Sequence, residues 1–243
     1  MDTSNIHMSA HQKKLASTNS LSLYKILSVG EQGSWLGLIG YELYQHICSD
    51  VSGLVGFGLR SITLPFILGM SKKPVVGKGV LIRRPKQIFL QQQVVIDDFS
   101  ALDVRGAGTI RIGANVFIGR FSAIVAKDAN VELGSGVNVG THCRIASQSR
   151  INIGASTLIA AYCYIGPGNH QQGNSEKPLI EQEMDIKGGV VIGTNCWIGT
   201  RATILDGVTI GDNAIVGAHS LVREDVPAGA VVAGSPARLL RVR

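Results

Sequence analysis

Aromatic side chains are scarce in this 243-residue chain. Phe, Trp and Tyr make up 5% of it, while the hydrophobic share as a whole is an ordinary 45%. With 30 glycines beside so few rings, the composition fits thin stacked coils with a narrow core and many tight corners. There is no G-X-Y period, which excludes a collagen-like chain, and the plentiful aliphatics exclude a disordered one. Cysteine is limited to four residues with no C-x-x-C spacing, so neither a zinc ribbon nor a redox pair is expected, and a reducing cytosol is the natural compartment. A compact basic-then-apolar run with a small-residue cleavage site is missing, which leaves no secretory signal peptide. No helix-turn-helix, zinc-finger or aromatic-studded basic motif is present, which argues against nucleic acid as a partner.

What is present is a period of six. The middle of the chain reads Ile112-Gly113, Ile118-Gly119, Ile124, then Leu133-Gly134, Val139-Gly140, Ile145-Ala146, then Ile153-Gly154, Ile159-Ala160, Ile165-Gly166. After a gap come Ile192-Gly193, Ile198-Gly199, Ile204, Ile210-Gly211, Val216-Gly217 and Val222. An aliphatic residue every sixth place, followed by a small one, predicts a hexapeptide β-helix. Three hexads close one triangular coil, and about seven coils are expected, enough to share one continuous core. Val76-Gly77 and Ile82 open the first coil, and Ile88, Ile96 and Leu102 carry it on imperfectly. Cys143, Cys163 and Cys196 all stand in the fifth place of a hexad, which elsewhere holds Val116, Ser122, Val137, Thr157, Ala202, Val208, Ala214 and Ser220. They read as small buried side chains rather than as ligands or disulfide partners.

The chain divides into four parts. Residues 1–20 are polar and expected to be disordered. Residues 21–75 are apolar and basic, with Leu36, Ile39, Leu43 and Ile47 at helical spacing. A second apolar stretch there, 51–70, is nearly long enough to span a bilayer but holds Arg60 and Pro65. Three readings stay open for this segment: a membrane-spanning helix, an interfacial helical hairpin, or a helical cap on the β-helix or its oligomer. The net charge of +6 lies entirely in residues 1–95, which hold ten Lys/Arg and four Asp/Glu, whereas residues 96–243 hold thirteen of each. That placement favours peripheral contact with an anionic membrane surface through residues 21–86. Residues 76–235 form the β-helix, and residues 236–243 are expected to be a short C-terminal helix begun by Pro236.

The largest break in the six-residue ladder falls between Ile165 and Ile192, where roughly 20 residues exceed a regular coil. This loop, 166–189, carries Pro167, Gly168, Asn169 and His170 and a set of carboxylates. A long loop thrown from a rigid scaffold is where function usually sits.

Taken with the hexads, three features give the chain a family resemblance. They are the His170-bearing loop, the run Val191-Ile192-Gly193-Thr194-Asn195-Cys196-Trp197-Ile198-Gly199, and the ending Gly234-Ser235-Pro236-Ala237-Arg238. Over residues 76–243 the sequence resembles the left-handed β-helix hexapeptide acyltransferases, most of all the galactoside, maltose and exopolysaccharide O-acetyltransferases. The resemblance implies a left-handed coil, a homotrimer with sites between subunits, and acetyl transfer from acetyl-CoA to a sugar hydroxyl. His170 matches the family's catalytic histidine, a general base that takes the hydroxyl proton and passes it to the leaving thiolate. The CoA-side positions match Gly199, Thr200, Ala218, Arg223, Arg238 and Arg241, with a backbone N–H of Gly199 or Thr200 as oxyanion donor. His142, Asn169 and Trp197 are candidates for the acceptor side, although packing or surface roles also suit His142 and Trp197. The family often has Pro after the catalytic His, where Gln171 stands here, and a Thr-Lys pair where Arg223-Glu224 stands here.

The same residues bear on three other functions. A metal hydratase of this fold would use His142, His170 and His219, but the close pair of histidines such enzymes carry is missing, so no metal is expected. A non-catalytic scaffold would have no use for the long loop. Acetylation of a xenobiotic such as an antibiotic needs the same chemistry, and only the apolar N-terminal segment leans away from it.

Overall fold

The computed structural model describes residues 19–68, 74–166, 178, 181–182 and 185–243. From Val75 onward the chain winds as a parallel β-solenoid, each turn laying one short strand in each of three sheets of nine, seven and six strands. These are called sheets A, B and C. The inward ladder of sheet A runs in register through Val76, Ile96, Ile118, Val139, Ile159, Ile198, Val216 and Val232. Sheet B stacks Ile82, Leu102, Ile124, Ile145, Ile165, Ile204 and Val222. Sheet C stacks Leu90, Ile112, Leu133, Ile153, Ile192 and Ile210. In the first turn Leu90 takes the sheet C ladder place, and Ile88, two residues earlier, pairs with Ile110. Six turns are complete; the seventh has its first two strands and an isolated bridge from Ile210 to Val226 in place of the third.

The hexad dictates this geometry. Its aliphatic residue sits in a strand and points inward, and the next two residues lead into a corner. The fourth residue has left-handed backbone torsions, as at Asn115, Phe121, His142, Tyr162, Asn195 and His219. The fifth is buried again. Every fifth-place residue named above is buried in the core, including Cys143, Cys163 and Cys196. The polar ones are satisfied across turns: Ser122, Thr157 and the three cysteines donate to the carbonyl of the small residue one turn on, while Ser220 Oγ accepts from Gly234 N at 3.2 Å. Ser122 Oγ reaches Gly140 O at 2.8 Å, Thr157 Oγ1 reaches Gly193 O at 2.8 Å, and Cys196 Sγ reaches Gly211 O at 3.2 Å. Cys143 Sγ donates to Ala160 O and Cys163 Sγ to Gly199 O, both at 3.1 Å. The hydrogen-bonded Cys143 thiol and burial push the Cys163 thiol up, so it remains a donor. All four cysteines are free.

Residues 19–68 fold as helices α1 (Ser20–Val29), α2 (Trp35–Tyr44) and α3 (Gly53–Leu68), with a π turn at Gln45–Ser49. Asn19 caps α1 by accepting from Leu21 N, so Asn19 and Ser20 belong to the helix rather than to the tail expected over 1–20. The rest of that tail lies outside the described residues.

The helices pack on the first turn of the solenoid, as a helical cap would, and this leaves their outer faces open. Leu64 of α3 joins the solenoid core beside Val76 and Val80. Arg60, the interruption in the apolar stretch, is buried and donates from Nε to Val76 O at 2.8 Å and from Nη1 to the carbonyls of Cys48, Ser49 and Val51. It ties the end of the π turn to the first strand and supplies a donor to the carbonyls of Cys48, Val51 and Val76, while Ser49 O also accepts from Gly79 N. Arg84, also buried, does the same for α1: its Nε donates to Ile26 O and its Nη1 to Gly106 O. Burial pulls its guanidinium down from the usual range. Among the described residues no helix is long and apolar enough to cross a membrane.

The other end of the solenoid corrects an expectation. Residues 236–243 are not a helix: Ala237–Val242 is a strand, antiparallel to Ala230–Gly234. Six residues are too few to repay helix nucleation. A strand, in contrast, pairs with the row of backbone groups that the last strand of sheet A would leave exposed.

Candidate active site

Sheets A and B meet in a corner that recurs at 119–122, 140–143, 160–163, 199–202 and 217–220. Its third residue is left-handed, and that residue's N–H donates to the carbonyl of the second residue one turn below. Thus Arg201 N reaches Ala161 O at 3.0 Å and His219 N reaches Thr200 O at 2.8 Å. The second residue's own N–H is left over. In Thr200 and Ala218, neighbours one turn apart, it has no partner among the described residues. Two adjacent unpaired amides on a rigid corner are donors ready for a ligand. Gly199 differs from what the resemblance implied: its N–H donates to Val216 O at 2.8 Å, so it is not free to meet an oxyanion. Its lack of a side chain is a packing requirement, since a Cβ there would lie 2.6 Å from Ala218 N.

Trp197 lies three residues before Thr200 on the outer face of sheet A and is half exposed. It stands in register between Leu158 and Ile215. The same column continues through Val231 to Arg241, which pairs with Val231 across the terminal hairpin. Arg241 and Trp197 therefore share a face. Arg223 and Arg238 meet elsewhere, on Glu224: Arg223 Nε is 3.7 Å and Arg238 Nη1 3.8 Å from Glu224 Oε1, all three exposed. Ala218 and Arg223 are five residues apart, at most about 17 Å of chain. The arginines expected on the CoA side thus form a pair beyond Thr200 and Ala218 and a third member on the Trp197 face.

His142 occupies the left-handed place of the same corner, two turns below Thr200. It is one ring in a stack of Phe99, Phe121, His142 and Tyr162, with ring centroids 5.5, 4.9 and 4.7 Å apart, and Arg201 lies 5.4 Å over Tyr162. The stack helps offset the left-handed torsions of bulky residues. At its lower end is Gly79, where a Cβ would collide with the Phe99 ring. Both faces of His142 are covered, so only its edge can reach an acceptor. His219 stands in the same column, separated from His142 by Tyr162 and Arg201.

The loop 166–189 leaves from the corner between sheets B and C, on the opposite edge of sheet B from Thr200. His170 and Asn169 lie outside the described residues. The returning end of the loop is held by a residue that the sequence argument missed. Asp206, buried in the next turn, accepts from Lys187 N at 2.5 Å, Gly189 N at 2.8 Å and Ser149 Oγ at 2.7 Å. Gly207 N then donates to Gly189 O. The available signal was an Asp-Gly step one turn after the long loop, at a corner where a carboxylate has no other reason to be buried.

The family described as bacterial transferase hexapeptide (six repeats) matches residues 189–224. WbbJ of Escherichia coli (strain K12), named as a lipopolysaccharide biosynthesis O-acetyl transferase, is 33% identical over 145 residues, covering 57% of this chain and 74% of that protein. A Mycobacterium tuberculosis protein named as an acetyltransferase is 34% identical over 134 residues, 55% of this chain; the chain spans 44% of that relative's length. A galactoside acetyltransferase in complex with coenzyme A superposes at a TM-score of 0.45 and 20% identity, over 97% of this chain and 92% of that one. By the WbbJ match and the repeats, the chain belongs to the hexapeptide-repeat acetyltransferases.

Proposed function

We propose that the protein is an acetyl-CoA-dependent O-acetyltransferase that acetylates a sugar hydroxyl in a polysaccharide precursor, working as a cytoplasmic homotrimer at the inner face of a membrane. The observation that carries the activity is the match to WbbJ across 74% of that protein, which is named for O-acetyl transfer in lipopolysaccharide biosynthesis. The free amides of Thr200 and Ala218 support this reading as donors for the arm of the acyl carrier.

In this reading His170 takes the proton from the acceptor hydroxyl as its oxygen attacks the thioester carbonyl. The tetrahedral oxyanion collapses, the C–S bond breaks, and the thiolate leaves with the proton from His170. Thr200 N–H replaces Gly199 N–H as the oxyanion or pantetheine donor, because only the former is unpaired. Ala218 N–H takes the next amide of the arm, and Arg223, Arg238 and Arg241 hold the phosphates. Asn169, Trp197 and the open edge of His142 face the acceptor, across the boundary with a neighbouring subunit.

The test is thiol release from acetyl-CoA over a panel of sugars, nucleotide sugars and lipid-linked glycans. His170→Ala is expected to lower turnover by about 10² to 10⁴. Unchanged turnover in that variant would remove the general base, and the absence of transfer to every sugar-bearing acceptor would remove the activity. Sizing of the purified protein as a monomer would remove the shared site.

A further inference from the structure

The helical cap leaves a large apolar surface uncovered. Helix α2 is apolar nearly all round. Leu38, Tyr41 and Tyr44 face inward and are buried, while Leu36 (80% exposed), Ile39 and Leu43 face outward, continued by Ile47 in the π turn. Helix α3 repeats the pattern: Arg60 and Leu64 are buried, and Leu54, Val55, Ile62 and Phe66 (84% exposed) are open. Of the 23 large hydrophobic side chains exposed among the described residues, twelve fall between Leu21 and Phe66. Scattered apolar residues on a surface need no explanation, but a contiguous field of this kind marks a contact. A helix apolar on every side belongs either inside a core or against lipid.

The seam between α2 and α3 is itself open. A groove of about 360 Å³ runs between them, lined by Gly40, Leu43, Ile47, Thr63, Phe66 and Ile67. It joins a second cavity of about 270 Å³, which shares Gly40, Phe66 and Ile67 and ends at Lys86. Nothing lies within 4 Å of a Cβ built on Gly40, so the seam is a slot.

We infer that this face docks into the hydrocarbon boundary of an anionic phospholipid bilayer, with the α2–α3 seam taking a lipid chain. The inference rests on the membrane-side placement proposed above and names its surface and ligand chemistry. Three observations choose lipid over a second copy of the chain. Helices of 10, 10 and 16 residues are too short to span the roughly 20 residues of a hydrocarbon core, but suffice to lie in its boundary. At the edge of the field stand residues with an apolar body and a polar tip. The Lys25 ammonium lies 5.5 Å over the Trp35 ring, and the Tyr24 hydroxyl donates to Glu42, an arrangement suited to the headgroup layer. The basic excess of the chain also belongs to its first 95 residues, in which Lys25, Arg83 and Lys86 surround the cap, while the rest of the chain is neutral.

The experiment is flotation of the full chain with vesicles of phosphatidylcholine alone or with one third phosphatidylglycerol. The wild type is expected to float with the anionic vesicles, with Trp35 fluorescence shifted to the blue and quenched by lipids brominated on their acyl chains. The triple variant Leu36→Asp, Leu43→Asp, Phe66→Asp alters only exposed positions. It is expected to partition at least tenfold less while its turnover with a soluble acceptor stays at the wild-type level. Flotation of the triple variant equal to wild type would overturn this face yet leave membrane placement standing. A wild type that floats with neither vesicle would overturn both, with the acetyl transfer assay unaffected. If instead the wild type forms larger assemblies with rising concentration and the triple variant does not, the face is an interface between copies, and the lipid assignment is wrong.

Discussion

Ile118, Ile159 and Ile198 of the solenoid are sealed from water on every side, whereas Leu36, Ile39 and Leu43 of the cap, with the same chemistry, point into solvent. The two regions solve different problems. Each strand of the solenoid has one inward place, and the turns above and below fill the space around it, so a narrow apolar ladder is enough. The cap must close the end of that ladder, which Leu64 and Arg60 accomplish from one side of the helices, with Arg84 reaching up to α1 from the first turn. The apolar residues on the other side do nothing for the closure. Surplus apolar surface in the cap thus points to a contact outside the chain, while the solenoid's apolar residues are explained by the fold alone.

The sharpest way to break this contrast is to truncate one residue from each side. Ile159→Ala should cost the solenoid about 3–4 kcal/mol, because the rigid stack of turns cannot collapse onto the void. Ile39→Ala should change stability by no more than about 0.5 kcal/mol. Urea denaturation of the two variants measures both. Comparable losses would mean that the outer face of α2 packs against something in the free protein.

The attachment of the cap can be probed separately. Arg60→Met keeps much of the volume but leaves the carbonyls of Val76, Cys48, Ser49 and Val51 without their shared donor. A local loss of about 2–3 kcal/mol is expected, confined to the cap. Hydrogen exchange should speed up over 19–68 and stay unchanged in sheets B and C beyond the second turn. Uniformly faster exchange would show that cap and solenoid unfold as one unit.

How far the sequence could be read differs between the regions for the same reason. The hexad gives one inward place and one fifth place per strand, and both were legible from Ile112 to Val222, down to the packing role of Cys143, Cys163 and Cys196. In the first turn the extra residues at Pro85–Gln87 shift the phase, so Ile88 was read where Leu90 holds the ladder. In the cap, spacing alone locates a helix through Leu36, Ile39, Leu43 and Ile47, but in a helix apolar all round it does not say which side is buried; Leu38, Tyr41 and Tyr44 also recur at a helical interval. Arg60 read as an objection to a membrane span, and its four carbonyl acceptors, spread over positions 48–76, were beyond any local pattern. At the site, Thr200 and Ala218 were legible from the resemblance, but which amide is free depends on the ladder partner of Gly199, a contact between turns. Asp206 escaped notice because its donors come from a loop whose path no periodicity fixes. The terminal strand is not legible in residues 236–243, because the open edge that it pairs with belongs to the fold.

A smaller test addresses the fifth place of the solenoid. Cys196→Ser keeps a donor for Gly211 O and copies Ser122 and Ser220, whereas Cys196→Val fills the slot without one. The serine variant should stay within about 0.5 kcal/mol of wild type and the valine variant should lose about 1 kcal/mol. Equal stability of the two, measured by thermal unfolding, would mean that the slot is governed by volume alone.

The smallest effect is expected at the corner between sheets C and A, where Asp212 accepts from Thr194 N at 2.6 Å and from Thr194 Oγ1 at 3.0 Å. These donors hold its carboxyl below the usual carboxylate range. A depressed folded value means that the ionised form adds stability above the unfolded pKa of about 4, and that this contribution fades as the pH falls through the folded value. The group is fully exposed, so solvent screens the gain. Asp212→Asn keeps an acceptor but loses the charge. Its unfolding midpoint should sit slightly below wild type at pH 7, and the gap should close below pH ~4 as the wild-type carboxylate takes up its proton. A gap that persists unchanged into acid would assign the loss to the geometry of the corner and not to the charge of Asp212.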